Sequence, residues 1–491
     1  MPTATHPNAP RRRTAAQRCL ALVCAVGLTA CDEAPTAPAS DAGALTLEAL
    51  ADPQACATCH PSHYLEWQGS MHAYSGVDPV FVAMNARGQR DTDGELGTFC
   101  VQCHAPRATR LGLTTDGLNL SDLPDRLRGI GCIDCHSVSA VEGDANNPLV
   151  HSEDAVMRGG IRDPLPNTAH ASAHSALHDG ADPRSSAVCG SCHDIVTPTG
   201  VHLERTYLEW KQSIYASDDP RFGNSCGACH MPGRDATAAD VPGAPLRRVH
   251  DHAFAGVDVA LIDFPGRGEQ LTKVQSALDT SLISELCVSP QEGGADIEVY
   301  LENVAAGHGF PSGATHNRRV WVDLRAYVGD RLVFSTGAVA DDEPLPSTDV
   351  DPDLWVLTER LFDADGQPTH DMLRVARSEG ESLPAPNGTL PGDPGYVNVH
   401  VPRRLRVLGE TPDRIELAVR LRPFELDILE ELVLSGDLAP EVAEAAPTFT
   451  LAGTQQVWTR AAAVERPSEL TGRPVLCVGT PTRAPRVRPA P

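Results

Sequence analysis

The sequence has few aromatic side chains for its length. Phe, Trp and Tyr make up 4% of its 491 residues, although the apolar content as a whole is ordinary at 41%. A chain this long exceeds the ~250–300 residues at which a single core usually divides, so two or more domains are expected. With so few large side chains, part of the interior must be filled by something other than protein.

Positive charge is also scarce. The chain has 40 Lys and Arg residues against 65 Asp and Glu residues, which gives a formal net charge of −25. Such a balance argues against nucleic acid and anionic membrane surfaces as partners, and it favours a partner protein with a basic docking surface. A solvated acidic surface explains the same charge equally well.

Long apolar runs are also missing: beyond the N-terminal segment, no apolar run reaches the ~18 residues that a membrane-spanning helix needs. Residues 1–31 combine a basic stretch around Arg11–Arg13, a short apolar stretch and Leu28-Thr29-Ala30 before Cys31. This pattern predicts a lipoprotein-type signal peptide whose Cys31 becomes the lipidated first residue. The alternative is an ordinary secretory signal in which Cys31 is incidental. Either way the body is exported, and lipidation would anchor it on a periplasmic or cell-surface membrane face.

Ten of the fifteen cysteines form five Cys-x-x-Cys-His motifs. This spacing is typical of covalent haem attachment, in which two thiols bond one edge of the macrocycle and the next histidine binds iron. Zinc ribbons need paired Cys-x-x-Cys units, and neither they nor dithiol sites require a histidine after every second cysteine. The sequence predicts five haem c groups. The attachment cysteines are Cys56, Cys59, Cys100, Cys103, Cys132, Cys135, Cys189, Cys192, Cys226 and Cys229, and the proximal iron ligands are His60, His104, His136, His193 and His230.

The pattern changes along the chain. Residues 32–52 read as a Pro/Ala linker, 53–280 as a pentahaem domain of short helices and loops, and 479–491 as a disordered tail. From about residue 295 apolar residues alternate with polar ones, as in Ile297, Val299 and Leu301, which indicates half-buried strands. A helix over 424–434 ends at Gly436. The predicted fold is α+β, with an antiparallel β-sandwich-like domain over 281–478.

One internal repeat stands out. Tyr64-Leu65-Glu66-Trp67 and Tyr207-Leu208-Glu209-Trp210 each lie between two haem motifs and carry an apolar stripe at helical spacing. One interpretation is two similar core helices. The sharper one is that each helix packs on haem and directs the residue five positions after its Trp, His72 or Tyr215, at iron.

Thirteen further histidines after the signal compete for the distal positions. His308, in a Gly-His-Gly-Phe-Pro-Ser-Gly segment of the β-domain, is compatible with a turn residue or with a ligand that docks this domain on a haem. His170 and His174 lie four apart, on one face if helical. The candidates chosen for the distal side are His72, His252, His174, His170 and His151.

Two cysteines, Cys287 and Cys477, bracket the predicted β-domain and remain after the haem count. In an oxidising compartment the simplest interpretation is a disulfide between them. Two buried free thiols are the alternative.

Three segments carry a family resemblance: Cys-Ala-Thr-Cys-His-Pro with the first Tyr-Leu-Glu-Trp helix, Gly131 to His136, and Ser225 to Pro232. Over about residues 53–255 the chain resembles the tetrahaem cytochromes that accept electrons in hydroxylamine oxidation, the cytochrome c554 type. The resemblance implies mostly bis-histidine haems, short distances between them and an electron-relay role. It also implies that one haem lacks a distal protein ligand.

The leading hypothesis is an electron carrier in a respiratory or extracytoplasmic redox chain, because two axial histidines leave only electrons to exchange. The alternative is a multihaem oxidoreductase acting on a small nitrogen or sulfur compound at a five-coordinate haem. No Cys-x-x-Cys-Lys motif is present, which argues against the nitrite-reductase type.

Overall fold

The structure, a computed structural model, describes residues 44–386 and 400–479. The predicted signal peptide, Cys31 and nearly all of the predicted tail lie outside these residues. We call residues 44–281 the haem-motif region and the described residues from 282 onward the β region.

The haem-motif region is built from short helices and two-stranded sheets. Many of its helices begin with proline or with a capping side chain, such as Asp78, which accepts a hydrogen bond from the Val80 amide at 3.0 Å. Its helices are α1 (Leu47–Leu50), α2 (Pro53–Ala57), α3 (Pro61–Gln68), α4 (Met71–Tyr74), α5 (Pro79–Asp91), α6 (Val101–His104), α7 (Pro106–Arg110), α8 (Cys132–His136), α9 (Ser186–Gly190), α10 (Thr206–Lys211), α11 (Cys226–His230) and α12 (Arg267–Ser281). Its strands are β1 (Val138–Val141), β2 (Leu149–His151), β3 (Val156–Gly159), β4 (Ala171–His174), β5 (Ile195–Val196), β6 (His202–Glu204), β7 (Gly233–Thr237) and β8 (Leu246–His250).

The β region consists of two larger antiparallel sheets and two helices. Its strands are β9 (Leu282–Gln291), β10 (Gly294–Asn303), β11 (Arg319–Val328), β12 (Arg331–Thr336), β13 (Val356–Phe362), β14 (Arg377–Glu381), β15 (His400–Leu408), β16 (Arg414–Arg422), β17 (Phe449–Thr459), β18 (Val464–Pro467) and β19 (Pro474–Gly479). The strand orders are β15-β10-β9-β19-β18 and β14-β13-β11-β16-β17, with β12 paired to β11. The helices are α13 (Leu426–Leu434) and α14 (Pro440–Glu444).

The predicted α+β fold class is confirmed. The alternating residues Ile297, Val299 and Leu301 are fully buried on β10, but the residues between them are buried too, so this strand is buried on both faces and not on one face as predicted. The helix predicted over 424–434 is α13, and Gly436 follows it with a φ of 79°. The predicted domain boundaries stay a prediction, although β9 begins at Leu282 and α1 lies within the segment predicted as a linker.

One apolar core connects the two regions. The facing sheets bury Leu286, Ile297 and Trp458, and the same cluster includes Val80 of α5 and Val274 of α12. Two helices of the haem-motif region therefore pack on the β region. Within the described residues no helix has the length and apolar character needed to cross a bilayer.

Candidate haem-binding site

Each Cys-x-x-Cys-His motif forms about one turn of helix. The amide of the motif histidine donates to the carbonyl of the first cysteine at 2.8 Å for His60 and at 3.0 Å for His193. A single helical turn brings both thiols and the imidazole together over one short segment. The ten motif cysteines are not engaged in disulfides, so all remain available for thioether bonds.

The backbone orients most of the proximal imidazoles. Nδ1 lies at hydrogen-bonding distance from a carbonyl oxygen in His60 (Ala238, 2.6 Å), His104 (Ser75, 3.1 Å), His136 (Arg158, 2.5 Å) and His230 (Ala255, 2.7 Å). Metal-binding histidines typically donate the second ring N–H to such an acceptor, which fixes the tautomer. In these four residues Nε2 is thus the nitrogen that remains for iron.

Four of the five proximal imidazoles face a second imidazole. Metal–nitrogen bonds of about 2 Å on both sides of one ion place two ring centres roughly 6 Å apart. The observed separations are 6.2 Å for His60 and His170, 6.3 Å for His136 and His252, 6.3 Å for His193 and His72, and 6.4 Å for His230 and His308. The donor set and its spacing therefore fit bis-histidine haem.

His136 has a second neighbour, His178, at 5.8 Å. His178 uses Nε2 for the Cys135 carbonyl at 2.8 Å, whereas His252 uses Nδ1 for the His250 carbonyl at 2.9 Å. His252 therefore keeps Nε2 for a metal, whereas His178 keeps only its Nδ1. His252 is the better counterpart of His136 because both residues then use the same ring nitrogen for the backbone and leave Nε2 for iron.

Among the predicted distal ligands, His72, His252 and His170 each face a proximal ring, whereas His174 and His151 do not. His174 lies 3.7 Å from Asp179, and His151 is at 2.9 Å from the Ser137 hydroxyl. The helix that would place His170 and His174 on one face does not form, because the chain is extended in β4. At about 3.3 Å per residue, an extended chain places the Cα atoms of these two residues roughly 13 Å apart.

His308 was not among the chosen candidates. Its ring is tilted only 12° from that of His230, and its Nδ1 lies 2.8 Å from the Gly309 carbonyl. It is brought there by the docking of residues 307–313 on α10, where Gly313 donates to Thr206 at 3.0 Å. The available sequence signal was the glycine-flanked histidine itself.

Burial favours the neutral form of four of these imidazoles. Desolvation, aided by neighbouring histidines, lowers the pKa of His72 and His252 to about 3 and that of His193 and His308 to about 4. Iron binds the neutral imidazole, so protons do not compete with the metal near neutral pH.

The second motif differs from the other four. The ring that lies on His104 is Phe81, at 3.9 Å and nearly parallel. Within residues 44–386 and 400–479, no second imidazole faces His104 as in the four pairs. Among the described residues this is the motif whose distal side has no matching histidine.

Thiols of different motifs approach one another. Hydrogen bonding to the neighbouring thiol, together with burial, raises the pKa of Cys132 beside Cys56, of Cys189 beside Cys226 and of Cys192 beside Cys103. These contacts join the first motif to the third, the fourth to the fifth and the fourth to the second. Cys135 of the third motif also lies close enough to Cys192 for their charges to interact. All five motifs thus form one connected set.

Cys287 and Cys477 are joined by a disulfide between the adjacent strands β9 and β19. Both are buried and pack beside Tyr300 and Val475. The bond links strands that are 190 residues apart in sequence.

When bound at these motifs, haem c supplies one-electron chemistry. The motif cysteines would hold it covalently, and the facing imidazoles would hold its iron. Motif cysteines placed for thioether bonds, together with four pairs of imidazoles spaced for an iron, define a multihaem c-type cytochrome.

Comparison with known proteins agrees with this class. Residues 55–137, which contain the first three motifs, match the sequence model of the family "Cytochrome c554 and c-prime". The chain is similar to a solved structure of a penta-heme cytochrome c552 from Thermochromatium tepidum, with a TM-score of 0.58 and 19% identity over 83% of this chain and 98% of that one. No curated protein matches the chain. The predicted resemblance to multihaem c-type cytochromes is confirmed.

Proposed function

We propose that this protein is an exported pentahaem cytochrome c that carries electrons in a respiratory or extracytoplasmic redox chain. The observation that carries the proposal is the pairing of four proximal histidines with a second imidazole at 6.2–6.4 Å. Two axial histidines close an iron to substrates and leave it suited to electron transfer. The count of five follows from the five motifs, and the similar solved structure is that of a penta-heme cytochrome.

The connected thiols support a relay. Each thioether would mark an edge of a macrocycle, so neighbouring thiols of different motifs bring those edges close. The contacts Cys56–Cys132, Cys192–Cys103 and Cys189–Cys226 span motifs one and three, four and two, and four and five. Electrons that enter at one motif would therefore find a path to the others.

Haem loading and redox titration test this proposal. Protein matured in a cytochrome-producing host should exceed the mass of its processed chain by five haems, and all five should be reducible. A fully matured protein with four or fewer haems and five intact motifs would contradict it.

The proposed location is a periplasmic or cell-surface membrane face, reached by cleavage before Cys31 and lipidation of that residue. Cys31→Ser should release the protein from the membrane fraction without changing its haem content. Unchanged membrane attachment in this variant would refute the anchor.

The proposed redox partner has a basic docking surface that complements the net charge of −25. Electron transfer to a basic cytochrome should slow steeply as salt is added, since screening weakens electrostatic steering. An equal rate at low and high salt would remove this part of the proposal.

One observation favours a second candidate, an oxidoreductase for a small nitrogen or sulfur compound. Phe81, rather than an imidazole, lies on the ring of His104. If the iron of the second motif is five-coordinate, the oxidised protein shows a high-spin EPR signal of one haem. A small ligand such as nitrite or sulfite then converts this signal to a low-spin one. Only low-spin haems in the spectrum would remove the enzyme candidate and leave the carrier.

A further inference from the structure

The two Tyr-Leu-Glu-Trp helices make the same two contacts at different haem motifs. Trp67 of α3 donates its indole N–H to the Ile130 carbonyl at 2.8 Å, and Trp210 of α10 donates to the Asn224 carbonyl at 3.0 Å. Both acceptors lie two residues before the first cysteine of a motif, Cys132 in one case and Cys226 in the other. Each tryptophan therefore fixes the approach of a motif that follows it in sequence.

The glutamates of the repeat contact the opposite, distal side. Glu66 accepts a hydrogen bond from the amide of His252 at 3.1 Å. Glu209 accepts from the amide of Gly309, next to His308, at 3.0 Å, and from the Ser312 hydroxyl at 2.6 Å. His252 faces His136 of the motif that Trp67 approaches, and His308 faces His230 of the motif that Trp210 approaches.

The surroundings of the two glutamates also match. Their side chains are 18% and 17% exposed, and each has one arginine beside it, Arg234 at 2.5 Å from Glu66 and Arg205 at 3.7 Å from Glu209. A carboxylate that accepts a hydrogen bond from a backbone N–H in such a partly buried site makes a strong, charge-assisted hydrogen bond. A helix that only filled the core would need its apolar stripe, whereas these polar contacts recur at the same positions in both copies.

We propose that each repeat is a clamp for one haem, in which the tryptophan holds the proximal motif while Glu66 or Glu209 is a positioning residue for the distal imidazole. It follows that His308 is the distal ligand of the fifth haem and that the β region supplies it. This inference rests on the haem loading proposed above, which fixes the number of irons to be ligated.

The test compares Glu66→Ala, Glu209→Ala, His308→Ala and the exposed control Glu95→Ala in the full-length holoprotein. Haem content is measured first, by intact mass, and then the high-spin fraction of the oxidised protein by EPR. Removing either clamp glutamate should add a high-spin signal of up to one haem, and Glu95→Ala should add none. The conservative variants Glu66→Gln and Glu209→Gln, which keep a carbonyl acceptor, should restore most of the low-spin signal.

Double variants assign each clamp to its own haem. Glu209→Ala combined with His308→Ala should show the same high-spin signal as His308→Ala alone, because both changes act on one iron. Glu66→Ala combined with His308→Ala should show the sum of the two single effects. Wild-type EPR spectra for both alanine variants, or additive effects for Glu209 and His308, would overturn the proposal.

A ligand exchange keeps the test decisive if Glu209→Ala fails to mature. His308→Met preserves a ligating side chain, and a Met/His axial pair raises the potential of haem. One of the five midpoint potentials should then rise while the haem count stays at the wild-type value. Five unchanged potentials would exclude His308 as a ligand. Fewer than five haems in the wild type would instead contradict the proposed function, so the two failures are distinguishable.

Discussion

The haem-motif region and the β region fill their interiors in different ways. The β region buries a continuous apolar core between two sheets, including Leu286, Ile297 and Trp458. The haem-motif region has only small apolar clusters of its own, such as Leu50 with Ile133, and its interior is lined by motif thiols that remain partly accessible. Four pairs of imidazoles, spaced to bind a metal ion between them, lie at positions where apolar side chains would otherwise have to pack. The difference teaches that one region depends on its cofactors for a core and the other does not.

The strongest way to break this comparison is to prevent attachment at the third motif. Cys132→Ser with Cys135→Ser should remove one haem completely and expose the haem-motif region to rapid hydrogen exchange, because the missing macrocycle leaves a cavity among buried polar groups. Strands β9 and β10 should stay protected. Mass spectrometry of haem content and of hydrogen exchange measures both effects. Equal loss of protection in the two regions would show that they share one source of stability.

The next largest effect concerns the contact between the regions. Arg318 of the β region is 9% exposed and makes two hydrogen bonds, at 2.8 and 2.9 Å, to Asp258 of the haem-motif region. Arg318→Met should lower the free energy of unfolding by about 3–5 kcal/mol, because it leaves a carboxylate without its partner.

Arg325→Met is the matched control, in the strand β11 that begins one residue after Arg318. Arg325 is 41% exposed and pairs with Asp323 within β11, so its loss should cost less than about 1 kcal/mol. Thermal or denaturant unfolding compares the two variants. Equal destabilisation by the two variants would mean that the Arg318–Asp258 pair stabilises the protein no more than the exposed Arg325–Asp323 pair does.

The loss of the disulfide should affect only one of the two regions. Cys287→Ala with Cys477→Ala should destabilise the β region by about 2–5 kcal/mol, since the bond closes a long loop in the unfolded chain. The haem content and the absorption spectrum should not change. A drop in haem content would indicate that the β region must be closed before the haem-motif region matures.

The smallest effect is a pH dependence within the haem-motif region. Burial raises the pKa of Asp78 from 3.8 to about 7. The folded chain therefore holds a proton that the unfolded chain has released, and this stabilisation is complete below pH 3.8 and lost as the pH rises through about 7. Between pH 5 and pH 7 the loss should be about 2 kcal/mol. Asp78→Asn, which keeps a capping side chain for α5, should flatten that profile, and an unchanged slope would assign it to another group.

The sequence predicted what depends on local spacing. A Cys-x-x-Cys-His motif carries its own geometry within one helical turn, and a strand with one buried face shows a period of two, as β16 does. These features needed no knowledge of distant contacts.

Distal pairing could not be predicted in the same way. His308 meets His230 only because residues 307–313 dock on α10, and no local period records that contact. His174 shows the converse, since a spacing of four suggested a helical face where the chain is extended. The clearest sequence signal for the distal side is the glutamate shared by both repeats, to which the repeat pattern alone assigns no role. Glu66 and Glu209 bind the segments that carry His252 and His308.

Because His308 belongs to the β region, its position in the chain has a consequence for how the protein matures. The fifth motif precedes residue 308 in the chain, so in the proposed N-to-C export its thiols would become accessible before the strands that flank His308 exist. Covalent attachment needs only Cys226, Cys229 and His230, whereas the second axial bond must wait until β10 and β11 have formed. The fifth iron would thus change spin state late in biogenesis. Its spectrum would then serve as a built-in indicator that the C-terminal part of the molecule has folded.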